Sequence, residues 1–148
     1  MATIAIASDH AGVTLKAELV AELKRLGHEP LDLGPADTTS VDYPDYAVKG
    51  CAELTSGRAP LAVLICGTGI GMSITANKVH GIRAALCHTE FEARATRQHN
   101  DANVLCLGSR VIGGALAIEI LKTFVSVAFE GGRHAARVGK ITALESKR

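Results

Sequence analysis

Cys66 closes a run of six apolar residues, Leu61 to Cys66, and is followed at once by Gly67-Thr68-Gly69-Ile70-Gly71. A run without polar alternation is expected of a parallel strand buried on both faces, so the sulfur would stand at a strand tip facing a glycine-rich turn. Glycines at 67, 69 and 71 permit close backbone approach, and several N–H groups can then converge on one anionic oxygen. A cysteine beside such a turn and the helix after it is favoured as thiolate, a base able to take a proton from carbon. The same residues also suit a core-filling cysteine and a purely structural turn. The motif is not a P-loop, and Met72 stands where a dinucleotide fingerprint needs its third glycine. Cys51, Cys87 and Cys106 adjoin no glycine-rich turn and are read as core.

His99 falls at the end of a helix expected over 89–98, where the dipole favours imidazolium and an acid role. Its alternative is a helix-end histidine with Asn100 as the left-handed cap. Asp9 and His10 follow the first apolar run and suit hydrogen bonds to sugar hydroxyls, or a plain helix-entry turn. Arg133 and Arg137, four apart, would project two guanidinium forks from one helix face, with Arg110 as a third; together they could hold a phosphate, or lie on a solvated face. His134, between the first two, is either a further donor or exposed. Asn77-Lys78 and Arg94 to Arg97 read as helix-surface residues.

The elements that must position these groups alternate. Strands are expected at Ile4–Ala7, Leu31–Leu33, Leu61–Cys66, Arg83–Cys87 and Val104–Leu107. Helices are expected to carry Leu15, Leu19, Leu23 and Leu26 on one face up to Gly27, then over Tyr46–Thr55, Met72–Lys78, Thr89–Gln98 and from Gly113-Gly114 to about Phe129. A loop should cover Pro35–Asp45, and a basic amphipathic helix should follow Glu130-Gly-Gly-Arg133. Strand then helix, five times, implies a three-layer αβα Rossmann-like fold with a five-stranded parallel sheet, read as one domain over 1–148. Such sheets bind ligands at the carboxyl ends of their strands. His99-Asn100-Asp101 instead precedes its strand, and must reach that end by another route, such as from a second subunit.

The 148 residues, 47% hydrophobic, suffice for one core without disulfides or metal. Sixteen Lys and Arg against fifteen Asp and Glu leave a net charge of +1, no field to draw nucleic acid or an anionic membrane, and any anion site must be local. Aromatic residues at 3%, with no Trp, supply no base-stacking surface. Four cysteines without a C-x-x-C pair make zinc or disulfide frameworks poor candidates. The N-terminal apolar run is too short for a signal or membrane span, and a cytoplasmic, reducing location is expected.

Seven ordered blocks, Ser8-Asp-His-Ala-Gly12, Val41-Asp-Tyr-Pro-Asp-Tyr46, Ile65-Cys-Gly-Thr-Gly-Ile-Gly71, Ala76-Asn-Lys78, Arg97-Gln-His-Asn-Asp101, Gly108-Ser-Arg110 and Glu130-Gly-Gly-Arg-His134, resemble the ribose-5-phosphate isomerase B family nearly end to end. The resemblance implies an aldose-ketose isomerase of sugar phosphates, without metal or other cofactor, working as a homodimer or dimer of dimers whose sites are shared between subunits. It implies Cys66 as proton-shuttling base, His99 as ring-opening acid/base and Thr68 near the shuttled hydroxyl protons. It further implies Asp9 and Asn100 on sugar hydroxyls, the Gly67, Gly69, Ile70 and Gly71 backbone around the enediolate, and His10, Arg110, Arg133 and Arg137 on phosphate. One branch of the family replaces the cysteine and carries glutamate at the position of Met72; this chain matches the thiolate branch. Allose 6-phosphate and galactose 6-phosphate isomerases resemble the family too, and a non-catalytic phosphosugar-binding module or a thiol redox sensor are readings of another class.

Overall fold

The structure is a computed structural model in which residues 1–147 are described. Five parallel strands form one sheet: β1 (Thr3–Ser8), β2 (Glu29–Asp32), β3 (Leu61–Cys66), β4 (Ala84–Leu86) and β5 (Val104–Gly108), in the spatial order β2-β1-β3-β5-β4. The three central strands are fully buried over most of their length because helices cover both faces, which is why their sequences run apolar without alternation. The expected αβα fold is present.

Each of the three central strands divides its side chains between two cores. Ile4, Ile6, Val63, Ile65, Leu105 and Leu107 pack on one face with Leu15, Leu19 and Leu23 of α1 (Val13–Arg25) and Ala117, Ile120, Leu121 and Phe124 of α5 (Gly114–Ser126). Ala5, Ala7, Ala62, Leu64, Cys66 and Cys106 point to the other face, against Ala47 and Cys51 of α2 (Tyr43–Thr55) and Met72 and Ala76 of α3 (Ile70–Ala76). Each fully buried leucine or isoleucine contributes about 1.5–3 kcal/mol relative to exposure, so the leucine- and isoleucine-rich face against α1 and α5 gives the larger share, while the small alanines of the other face let α2 and α3 approach the sheet closely.

Several boundaries differ from expectation for identifiable reasons. Helix α2 starts at Tyr43, three residues early, because Pro44 lacks a donor that the first turn would leave unused anyway. Helix α4 (Glu90–Asn100) absorbs Asn100, and the left-handed cap is Asp101 (φ 47°), whose carboxylate meets Arg83 at 3.1 Å and Arg97 at 3.5 Å. Asn100 is therefore not the cap. Helix α5 ends at Ser126 rather than near Phe129. Arg97 is no surface residue: its guanidinium lies 5.5 Å from the Phe124 ring centroid and donates to the carbonyls of Val127 (3.1 Å) and Ala102. The basic helix is α6 (Arg133–Ala143), packed on α4.

Strand β2, at one sheet edge, contains Pro30, paired with Ile4. The amides of Glu29 and Leu33 donate inward to Ala2 and Ile6, so the alternate residue, Pro30, turns its nitrogen outward. No helix among the described residues is long and apolar enough to cross a membrane.

Candidate active site

The chain leaves β1 for β2 on one side and returns for β3 on the other, so the order reverses between β1 and β3. Helices α1 and α3, which follow β1 and β3, depart to opposite faces, and a crevice opens at the carboxyl ends of these two strands. Asp9, His10 and Cys66 stand at its mouth. The Asp9 amide donates to the Ile65 carbonyl at 3.0 Å, tying the two strand ends together.

Cys66 is 4% exposed, and its sulfur accepts a hydrogen bond from the Gly69 amide at 3.1 Å. This bond closes the turn from Cys66 to Gly69. That turn exists because Gly69 has φ 76° and because a Cβ there would meet Leu86 Cδ1 at 2.5 Å and the Leu107 backbone at 2.8 Å. Exposed Thr68 accepts from the Ile70 amide through Oγ1 at 3.2 Å. The other three cysteines are buried and free; burial pushes the Cys51 thiol up to about 11, the Cys87 thiol up to about 12 and the Cys106 thiol well above the usual range. They are inert core groups at neutral pH. Met72, fully buried in the same cluster as Cys66, offers a thioether and no base.

The neighbours of the sulfur are held from several elements. Asp9, 7% exposed, accepts from the Ala11 amide at 2.9 Å. Nδ1 of His10 is engaged by Val41, through its amide at 3.1 Å or, in the other tautomer, its carbonyl at 3.2 Å; either way Nε2 is the nitrogen left for a ligand. Ser109 donates its hydroxyl to the Ala11 carbonyl at 2.8 Å, and the amides of Ser109 and Arg110 donate to Cys66 and Gly67 at 2.9 Å each. These bonds lay the Arg110 guanidinium over Gly67, where a Cβ would sit 3.3 Å from Nη1. One wall was not singled out from sequence: the half-exposed Tyr43 ring packs so closely on Gly71 that a Cβ there would come within 2.6 Å of it. The only signal was a glycine following a loop with a proline-flanked tyrosine.

His99, Asn100, Arg133 and Arg137 lie elsewhere. Helix α4 runs back antiparallel to the strands, and Arg83, just before β4, donates to the carbonyls of Asn100 (3.1 Å) and Asp101 (2.9 Å). Through the register Ala84–Val104–Ala62, this is the amino-end row of the sheet, and Cys66 is four residues further along β3, about 13 Å away at 3.3 Å per residue. One chain therefore does not bring Cys66 and His99 together. Around exposed His99 a second group assembles: its ring stacks on His134 at 4.4 Å between centroids and 16° between planes. His134 is buried, not exposed, with Nε2 3.6 Å from Glu130 Oε2. Desolvation holds the His134 imidazole below its ordinary value, helped by His99, Arg133 and Arg137 and opposed by Glu130. Arg133 and Arg137 are exposed on the same helix.

A parallel αβα sheet with a buried sulfur, a glycine turn and a guanidinium at its switch point has the layout of an α/β protein that binds a small anionic ligand, and comparison gives the family. The model of a family described as ribose/galactose isomerase matches residues 4–141, and the chain belongs to that family. It is 46% identical over 148 residues to ribose-5-phosphate isomerase B of Escherichia coli, covering 100% of this chain and 99% of that one. Among solved structures, ribose-5-phosphate isomerase B of Clostridium thermocellum superposes with a TM-score of 0.96 at 50% identity, covering 98% of each chain. The type B ribose 5-phosphate isomerase of Trypanosoma brucei gives 0.94 at 45% identity, covering 97% of this chain and 99% of that one.

Proposed function

We propose that this chain interconverts ribose 5-phosphate and ribulose 5-phosphate by proton transfer through an enediolate. The observation that carries the reading is the Cys66 sulfur at the β1/β3 switch point, bonded by the Gly69 amide and flanked by Asp9, His10 and Arg110. Cys66 removes a proton from C2 and returns it to C1. The Gly67–Gly71 backbone stabilises the oxyanion that forms, Thr68 exchanges the hydroxyl protons and Asp9 accepts from the sugar hydroxyls. His10 and Arg110 bind the phosphate from the same chain.

The remaining groups come from a second copy. The separation along β3 exceeds the reach of a five-carbon ligand, so in this reading His99 and Asn100 of one protomer enter the Cys66 crevice of its partner, with Arg133 and Arg137 completing the phosphate site. His99 opens the furanose ring. The four free cysteines suit a reducing, cytoplasmic setting. A base and an acid each supply about 100- to 10,000-fold, and each oxyanion donor about 3–4 kcal/mol, so the amides of the turn matter as much as the sulfur.

Cys66→Ala tests the base. Turnover of ribose 5-phosphate should fall by at least about 100-fold while the melting curve and substrate binding stay close to those of the parent; parent-like turnover would remove Cys66 from the mechanism. Comparing ribose 5-phosphate with allose 6-phosphate as substrates tests the five-carbon assignment.

A further inference from the structure

We propose that His99, Glu130 and His134 form a binding site for a late first-row divalent cation such as Zn2+, and that its occupancy inhibits the enzyme by withdrawing His99 from the sugar. One ring nitrogen from each histidine and a carboxylate oxygen of Glu130 lie within 4.8 Å of one another. A tetrahedral Zn2+ bonded at about 2.0–2.1 Å spaces its ligands roughly 3.4 Å apart. The His134–Glu130 pair, at 3.6 Å, is already near that spacing, and only His99 must close in. Its side chain is exposed, so the ring can turn out of its stack on His134 to aim a lone pair at the metal.

The backbone beneath is fixed. The Glu130 amide donates to Gln98 at 3.1 Å and the His134 amide to Gly131 at 3.0 Å, which ties the turn carrying two ligands to the last helical turn carrying the third. Two imidazoles and a carboxylate with one open position are a donor set that zinc accepts, and calcium or magnesium, which require more oxygens, does not. Arg133 and Arg137 beside the site oppose a cation, which makes the binding reversible inhibition rather than a resident cofactor. The inhibitory effect rests on His99 acting on the sugar; the binding itself does not.

The test uses the intact protein, Glu130→Gln and His134→Asn. Zn2+ is titrated against a chromophoric chelator, turnover is followed with and without EDTA, and Co2+ serves as a spectroscopic substitute. Expected are one Zn2+ per chain, tetrahedral d–d bands without a thiolate charge-transfer band, and EDTA-reversible inhibition. Both variants should bind Zn2+ at least about tenfold more weakly and resist inhibition by the same factor, and Glu130→Gln, which leaves the His99–His134 stack in place, should retain metal-free turnover near the parent's. No binding, binding that both variants leave unchanged, or a thiolate band revealing Cys66 as the ligand would overturn the site and leave His99's role standing. Stoichiometric binding with unimpaired turnover would overturn the inhibition and the role of His99 together.

Discussion

Burial holds His134 below the ordinary histidine value of 6.5, with His99, Arg133 and Arg137 acting in the same sense and Glu130 opposing. The unfolded chain therefore binds this proton at a higher pH than the native one. As pH falls below about 6.5 toward the folded value, native stability should decline, and the loss should saturate once both states are protonated. Urea midpoints measured across that range should slope upward with pH in the parent, and His134→Asn should flatten part of the slope. Sequence left His134 undecided between donor and exposed residue, because what buries it is the turn at 130–132 folding onto α4, a contact no local pattern encodes. The position of Cys66 at a strand tip was legible for the opposite reason: an apolar run and a glycine turn on either side of it are local. So was the inertness of the other three cysteines.

Elements with a continuous apolar signature were placed almost to the residue, β3 without error, since burial on both faces leaves no periodicity to misread. Ends set by distant partners were not. Both Asn100 and Asp101 tolerate the left-handed conformation, and the choice fell to the residue whose carboxylate reaches Arg83 and Arg97. At this scale the β3–α3 turn is the most sensitive feature. Gly69→Ala adds a Cβ at φ 76° against Leu86 and the Leu107 backbone, and left-handed strain together with overpacking should cost about 2–5 kcal/mol. Chemical denaturation should register that loss. Turnover should fall further than stability alone requires, because the amide on the Cys66 sulfur moves with the turn.

For the whole molecule, the separation of Cys66 from His99 makes a proposal about assembly testable. If each site takes its sulfur from one protomer and its imidazole from the other, Cys66→Ala and His99→Asn chains should complement. Equal amounts unfolded and refolded together would form half mixed dimers, each with one intact and one doubly defective site, so about a quarter of parent activity should return. Chains with self-contained sites would regain none. The sequence anticipated the need for another route for His99 from its place before a strand, yet could not say which arginines travel with it. The stack of His99 on α6 gives that grouping, since Arg133 and Arg137 share the helix of His134.

Pro30 bears on how the protein survives crowding. Its ring nitrogen occupies the outward rank of β2, the position from which an incoming strand of another molecule would need a donor. A sheet whose central strands are Val-, Ile- and Leu-rich is thus denied growth along that border, and replacing Pro30 by valine would reopen a template for fibril-like stacking.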